Sequence, residues 1–267
     1  MKKLSLDDIK KTELGIMDAI HSFAKDNDIE YCLAYGSLIG AIRHQGFIPW
    51  DDDMDITMPR KSYEMFLKKF NETNSRYKVI CHENTKNYPY AFAKVIDTTT
   101  KVEEYRFGKY DAGVFIDVFP LDDAGSDLEK VMSQGKVTSI YNKLLQFKMA
   151  RFSYYHGKKK LGLALAKIAL LFVNSQFLIR KTNEESQKLT ADDSKYIVDM
   201  VEYESYKERE IMEKEWFSKY VLTKFEDKEY YIPKDYDKIL TKLYGKYMQF
   251  PPKEKQITHH SFDAWEK

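Results

Sequence analysis

The stretch DDDMD, residues 51–55, sets four carboxylates into five positions. Charges of one sign packed this closely repel unless a cation sits among them. On a strand, side chains two apart share a face, so Asp53 and Asp55 point the same way with Cα atoms about 7 Å apart. Oxygens arranged like this converge on one hard divalent cation, Mg²⁺ or Mn²⁺. Asp51 continues the same alternation, and Asp52 points to the other side. The competing reading is a solvated acidic turn. It fits less well, because the run ends in the apolar alternation of Met54, Ile56 and Met58, and Pro49 and Trp50 stiffen the approach to it.

Two other features belong with this cluster. Gly36-Ser37 stands where the apolar run YCLAY (31–35) stops and a short helix, SLIGAIRH, is expected to begin at Ser37. The free N–H groups of a first helical turn can hold a phosphate, although an ordinary turn and N-cap would look the same. Gly-Ser followed by Asp-x-Asp on the next strand is more specific than either half, and it is similar to the nucleotidyltransferase arrangement in which phosphate and metal share a site. Asp117 lies inside GVFIDVFPLDD (113–123), which reads as a hydrophobic strand closed by Pro120. A carboxylate among such side chains is costly unless it is paired or binds a metal. It reads as a third carboxylate at the same metal or as general base for an acceptor hydroxyl, against a structural aspartate bonded to backbone.

The elements that must position these groups are legible in outline. Residues 6–25 form a helix, with Ser5 and Asp8 as a capping box and a stripe of Ile9, Ile16, Ile20 and Phe23. MDITM is a half-buried strand, SYEMFLKKF a helix, and YKVICH, YAFAKVID and KVEEYRF further strands. From Asp127 to about residue 190 the pattern is helical, and YVLTKFEDKEYYIP reads as a hairpin before a last helix near YGKYM. The expected fold class is therefore α/β (α+β), a mixed sheet flanked by helices. Residues 1–125 form the catalytic half, and residues 126–267 form a mainly helical half packed on it.

With 43 basic and 42 acidic residues the chain is close to neutral, and it has no basic stripe, which argues against nucleic acid as a partner. Twenty tyrosines and 16 phenylalanines read as core and pocket lining. Cys32 and Cys81 have no metal-ligand spacing and read as buried thiols. MKKLSLDDIKK has no apolar stretch behind its lysines, so a cytoplasmic location is expected.

The long block YGSLIGAIRHQGFIPWDDDMDITMPR closely resembles the signature of the LicD family, which includes the fukutin-type proteins. AFAKVIDTTT, GVFIDVFPLDD and LYGKYMQFPP look like its further blocks. The likeness spans about residues 15–125, and more loosely 220–262. It implies a nucleotidyltransferase-like fold and a metal-dependent transferase. Such an enzyme moves phosphocholine, or a related phosphopolyol, from CDP-choline or another CDP-alcohol to a lipid-linked glycan or teichoic acid precursor. It further implies Asp53, Asp55 and Asp117 as metal and catalytic carboxylates, and Gly36 and Ser37 as donor-phosphate contacts. Arg43, His44, Arg60 and Lys94 are candidate donor partners, each against a packing or surface role. Choline needs a cage of aromatic faces; Tyr88, Tyr90, Tyr105 and Tyr110 are candidates for it, against plain core positions. His259 and His260 are candidates for an acceptor phosphate or a second metal, against an exposed tail.

The run LGLALAKIALLFVNSQFLI (161–179) is interrupted by Lys167, Asn174, Ser175 and Gln176. It reads as a buried helix or an interfacial one, with a true span ranked last. Peripheral membrane contact through it would bring the site to a lipid-linked acceptor. Two other functions compete: a nucleotidyltransferase adding NMP to a small acceptor, and a non-catalytic glycan- or nucleotide-binding protein. A binding relic has no need of three intact carboxylates.

Overall fold

Two parallel strands in the middle of the molecule bring the aspartates together, and the other elements hold those strands. The computed structural model describes residues 1–258 and 262–267. After a two-residue strand β1 (Lys2–Lys3), helix α1 (Leu6–Asp26) begins at the expected capping box: Ser5 Oγ accepts from the Asp8 N–H, and the Asp8 carboxylate accepts from the Ser5 N–H. Its Ile9, Ile16, Met17 and Ile20 stripe is buried against the sheet. Strand β2 (Cys32–Leu33) leads into α2 (Tyr35–Arg43), and a loop returns to β3 (Asp55–Pro59) and α3 (Arg60–Thr73). Then come β4 (Tyr77–Ile80), β5 (Ala93–Asp97), β6 (Thr100–Glu104) and β7 (Phe115–Asp123). A helical layer follows, made of α4 (Leu128–Met149), α5 (Gly157–Ala169) and α6 (Ser175–Ser186). The chain then returns through β8 (Tyr196–Val198), α7 (Tyr203–Tyr206) and β9 (Met212–Glu213). It ends with the hairpin β10 (Tyr220–Phe225) and β11 (Lys228–Pro233), helix α8 (Tyr236–Tyr244) and β12 (Phe262–Glu266).

The fold is a mixed α/β one. The central sheet has the order β2-β3-β7-β5-β4, in which β3 and β7 are parallel and the other pairs antiparallel. Strand β8 joins the far end of β7, and β12 pairs with β6, so segments beyond residue 125 extend both sheets. Cys32 and Cys81 are buried free thiols.

Two local expectations need correcting. Strand β7 does not stop at Pro120 but runs on to Asp123. Pairing with β5 ends at Val118 and pairing with β8 begins at Asp122, so Pro120 falls where neither strand needs its missing N–H. Helix α2 begins at Tyr35, two residues earlier than Ser37, because Tyr35 takes φ +45° and turns the chain into the helix at once. The 161–179 run is split between α5 and α6, and among the described residues no helix is long and apolar enough to cross a membrane.

Candidate active site

Strands β3 and β7 run in register with Asp55 opposite Asp117. The Asp117 N–H donates to the Met54 carbonyl at 3.1 Å, and the Asp55 N–H donates to Ser37 Oγ at 2.8 Å. Backbone pairing thus fixes both carboxylates on adjoining strands, and Ser37 steadies one of them. Asp53, in the segment leading into β3, reaches the same space. All three line one cavity of about 320 Å³.

The same cavity has a wall of rings: Tyr35, Tyr90, Phe92, Phe107, Phe119 and Tyr206. Tyr35 takes a left-handed backbone, a strain of the sort kept at functional sites, and its ring meets Phe119 edge-on. Its hydroxyl donates to Asp199 at 2.8 Å, and its ring stacks on Tyr206 with 7° between planes. The Tyr206 and Tyr244 hydroxyls share a hydrogen bond of 2.9 Å. The polar part of the wall is Arg106, Asn142, Gln146 and Glu202. Arg106 donates through Nη2 to Gln146 at 2.7 Å, while its Nε is buried without a partner.

The electrostatics of the cavity are strongly one-sided. Burial raises the carboxyl pKa of Asp53, and repulsion from Asp51, Asp52 and Asp117 adds to it, pushing it up to about 8. Burial, with Asp53 and Asp117 beside it, pushes Asp55 well above the carboxylate range. Burial also raises Asp117, against the opposing pull of Lys94. Glu202 is raised to about 6 by burial, with Asp117 contributing. Glu13 lies fully buried on α1, with Oε2 unpartnered and its pKa raised by burial and by Asp53 and Asp52. Lys94 Nζ donates to Asp117 at 2.5 Å and lies over the Phe115 ring at 3.5 Å. That ammonium offsets one charge and leaves the rest.

By its chemistry this donor set suits a hard divalent cation, although Asp55 and Asp117 do not join the closest-packed carboxylate trio among the described residues. The set is all oxygen, it carries more negative charge than its surroundings neutralise, and it resists ionising alone. Among the described residues, the trio whose carboxylate oxygens all lie within 4.8 Å of one another is Asp51, Asp52 and Asp53. Asp53 is thus common to that trio and to the cavity.

The remaining expected residues scatter. Gly36 and Ser37 lie inside the first turn of α2, and a Cβ on Gly36 would come within 2.6 Å of Asp51 Oδ2. The glycine is where that carboxylate rests. Lys94 is not on the surface; it is 2% exposed. Tyr90 alone of the four tyrosines lines the cavity. Tyr90 and Tyr110 donate to the two oxygens of Glu104 at 2.6 and 2.7 Å, Tyr88 is buried beside both rings, and Tyr105 is exposed. Arg43 donates to the Tyr247 carbonyl at 2.7 Å and to His44 at 3.0 Å, at the opposite end of α2 from Gly36. Arg60 is bound bidentately by Asp122 at 2.6 and 2.7 Å, at the other end of β3. None of Arg43, His44 and Arg60 lines the cavity. His259 and His260 fall outside the described residues.

A family model described as LicD/FKTN/FKRP, nucleotidyltransferase domain, matches residues 28–151, which hold Asp53, Asp55 and Asp117. The lipopolysaccharide cholinephosphotransferase LicD of Haemophilus influenzae is 31% identical over 277 aligned residues, 99% of each chain. The chain belongs to the LicD family. Shorter matches reach an uncharacterized protein of Rickettsia typhi, 37% identical over 26% of this chain and 25% of that one. Another, from Rickettsia prowazekii, is 49% identical over 15% of each.

Sequence reasoning missed Arg106, Glu202, Tyr35 and Tyr206 as cavity residues of this LicD-family chain. Arg106 had a signal, since it sits in EYRFGKY between tyrosines singled out for the same pocket. Glu202 and Tyr206 had none. They arrive from the far half of the chain on α7 and its N-cap, and only the tertiary fold brings them to β3 and β7.

Proposed function

We propose that this protein, as an enzyme of the LicD phosphotransferase family, transfers phosphocholine from CDP-choline to a hydroxyl of a lipopolysaccharide-type glycan and releases CMP. A related phosphopolyol from another CDP-alcohol, or a teichoic acid precursor as acceptor, would use the same chemistry. One observation carries the reading: a single cavity is lined both by aspartates from β3 and β7 and by six aromatic rings. That division suits a donor with a diphosphate at one end and a quaternary ammonium at the other.

The roles follow from position. A divalent cation held by Asp53 and Asp55, with Asp117 beside them, would neutralise the charge that develops on the donor's diphosphate. Arg106, steadied by Gln146, lines the cavity and would offer its guanidinium to phosphate oxygens. Tyr35, Tyr90 and Tyr206 present ring faces to the ammonium, and Glu202 adds a counter-charge. Lys94 holds one oxygen of Asp117, and the carboxylate accepts the acceptor hydroxyl's proton as that oxygen bonds to the phosphorus bearing choline. The bond from that phosphorus to CMP breaks. Ser37 acts through Asp55, whose N–H it holds.

The test incubates the protein and Mg²⁺ separately with CDP-choline, CDP-ribitol, CDP-glycerol and CTP, each with and without a lipid-linked glycan fraction. CMP and pyrophosphate are followed beside an Asp53→Ala, Asp55→Ala control. Glycan-dependent CMP from CDP-choline that vanishes in the control is the expected result. CMP from CDP-ribitol or CDP-glycerol instead would reassign the donor. Pyrophosphate from CTP would overturn phosphocholine transfer in favour of NMP transfer.

A further inference from the structure

Residues 130–183 contain eleven lysines and arginines and no aspartate or glutamate, in a chain whose totals nearly cancel. Segregation on this scale concentrates positive charge on one part of the surface. The same segment exposes apolar side chains. Helix α5 buries Leu163 and turns Leu161, Leu165 and Ile168 outward, at 65%, 62% and 71% exposure, and Phe172 just beyond it is 97% exposed. These positions are i, i+4, i+7 and i+11, a single helical stripe. Lys158, Lys159 and Lys160 occupy the first turn of α5 and are all exposed. Among the described residues, nothing covers this face.

Charge decides what does. A second copy meeting it about a two-fold axis would set an acid-free, lysine-rich segment against itself. Anionic headgroups instead satisfy the lysines while the upper acyl region takes Leu161, Leu165, Ile168 and Phe172. Since no described helix is long and apolar enough to cross a bilayer, α5 would lie along it.

We propose that α5 and residues 170–172 seat the protein on an anionic lipid surface, with the cavity held beside the headgroups. Helix α5 is clamped to the C-terminal end of α4. Lys148 Nζ donates to the Leu170 carbonyl and Lys167 Nζ to the Lys148 carbonyl, both at 2.8 Å. Two residues before Lys148, Gln146 forms part of the cavity wall and holds Arg106. Membrane seating is independent of the reaction proposed above, because vesicle binding is read without any turnover.

The test floats the full chain with phosphatidylcholine vesicles, plain or carrying about one quarter phosphatidylglycerol. At least about tenfold more protein is expected on the anionic vesicles, falling with added salt. Two variants should each lose that gain while keeping the circular dichroism spectrum and Tm of the parent. One carries Leu161→Gln, Leu165→Gln, Ile168→Gln and Phe172→Gln; the other carries Lys158→Glu, Lys159→Glu and Lys160→Glu. Absence of binding to the anionic vesicles would overturn the assignment, as would equal binding by parent and both variants. So would a concentration-dependent dimer that the glutamine variant alone abolishes, since the face would then belong to a second copy.

Discussion

Strands β3 and β7 carry ionic side chains at both ends of their shared length, and the two ends are opposite in kind. At one end Asp55 and Asp117 face each other across the ladder with Asp53 alongside, and their charges exceed what Lys94 offsets. At the other, Asp122 is buried but grips Arg60 bidentately, and Asn183 accepts a further bond from the same guanidinium at 3.3 Å. Asp122 is fully buried while Asp53, Asp55 and Asp117 are half-buried, yet it is the more deeply buried carboxylate that is fully satisfied. A fully paired buried ion pair holds elements in place, here the start of α3 against β7. A crowded, under-neutralised group is a cost the fold retains at a site for chemistry.

The sharpest way to break this contrast is to remove one carboxylate from each end. Asp122→Ala leaves Arg60 buried and unpaired, and should cost about 3–5 kcal/mol in urea unfolding. Without divalent cation, burial and its acidic neighbours keep Asp53 mostly protonated near pH 7, at a cost to folding. Asp53→Asn removes that cost, so there the variant should leave stability unchanged or raise it. The same change should lower transfer on the order of 10²–10³-fold. If Asp53→Asn destabilises as much as Asp122→Ala, the acidic end is a structural network and the contrast fails.

The same comparison explains what was legible in the sequence. Asp53, Asp55 and Asp117 were readable because strand periodicity fixes which side chains share a face, and a charge inside an apolar run stands out against it. Arg60 and Asp122 were not readable as partners. Arg60 looked like one more cation beside the acidic strand, and only the parallel register puts Pro59 opposite Leu121 and so brings Arg60 to Asp122. Tyr35 was read as the last residue of a strand, and its positive φ cannot be inferred from residue type, since a bulky aromatic disfavours it. The sequence supplied the local periodicities, and the ring wall needed the fold, because its members come from α2, the loop before β5, the loop after β6, β7 and α7.

A second buried acidic group, behind Tyr35, sharpens the comparison through pH. Burial, with Glu202 adding repulsion, pushes Asp199 up to about 8. Native protein therefore holds this proton more tightly than the unfolded chain, whose value lies near 3.8. The stabilisation is complete below about 4 and is lost as pH rises through about 8. Asp199→Asn keeps a group that can accept from the Tyr35 hydroxyl and removes the titration. The stability difference between parent and variant should move against the parent by a few kcal/mol, on the order of the linkage for a shift of several units, between pH about 5 and about 9. Parallel stability curves for the two proteins across that range would mean Asp199 is ionised in both states.

The smallest effect separates the ring wall from the hydrogen bonds that hold it. Tyr206 stacks on Tyr35 and also shares a hydrogen bond with Tyr244. Tyr206→Phe loses the bond but keeps the stack, and should cost about 0.5–1.5 kcal/mol in stability with KM for CDP-choline nearly unchanged. Tyr206→Ala removes a face offered to the ammonium, worth about 0.5–2 kcal/mol, so KM should rise about two- to thirtyfold with kcat less affected. The split between the two variants locates the recognition. If Phe and Ala raise KM alike, the hydroxyl rather than the ring meets the substrate. If neither does, choline binds elsewhere in the cavity, and the acidic end of β3 and β7 shares that cavity with a wall that serves only to exclude water.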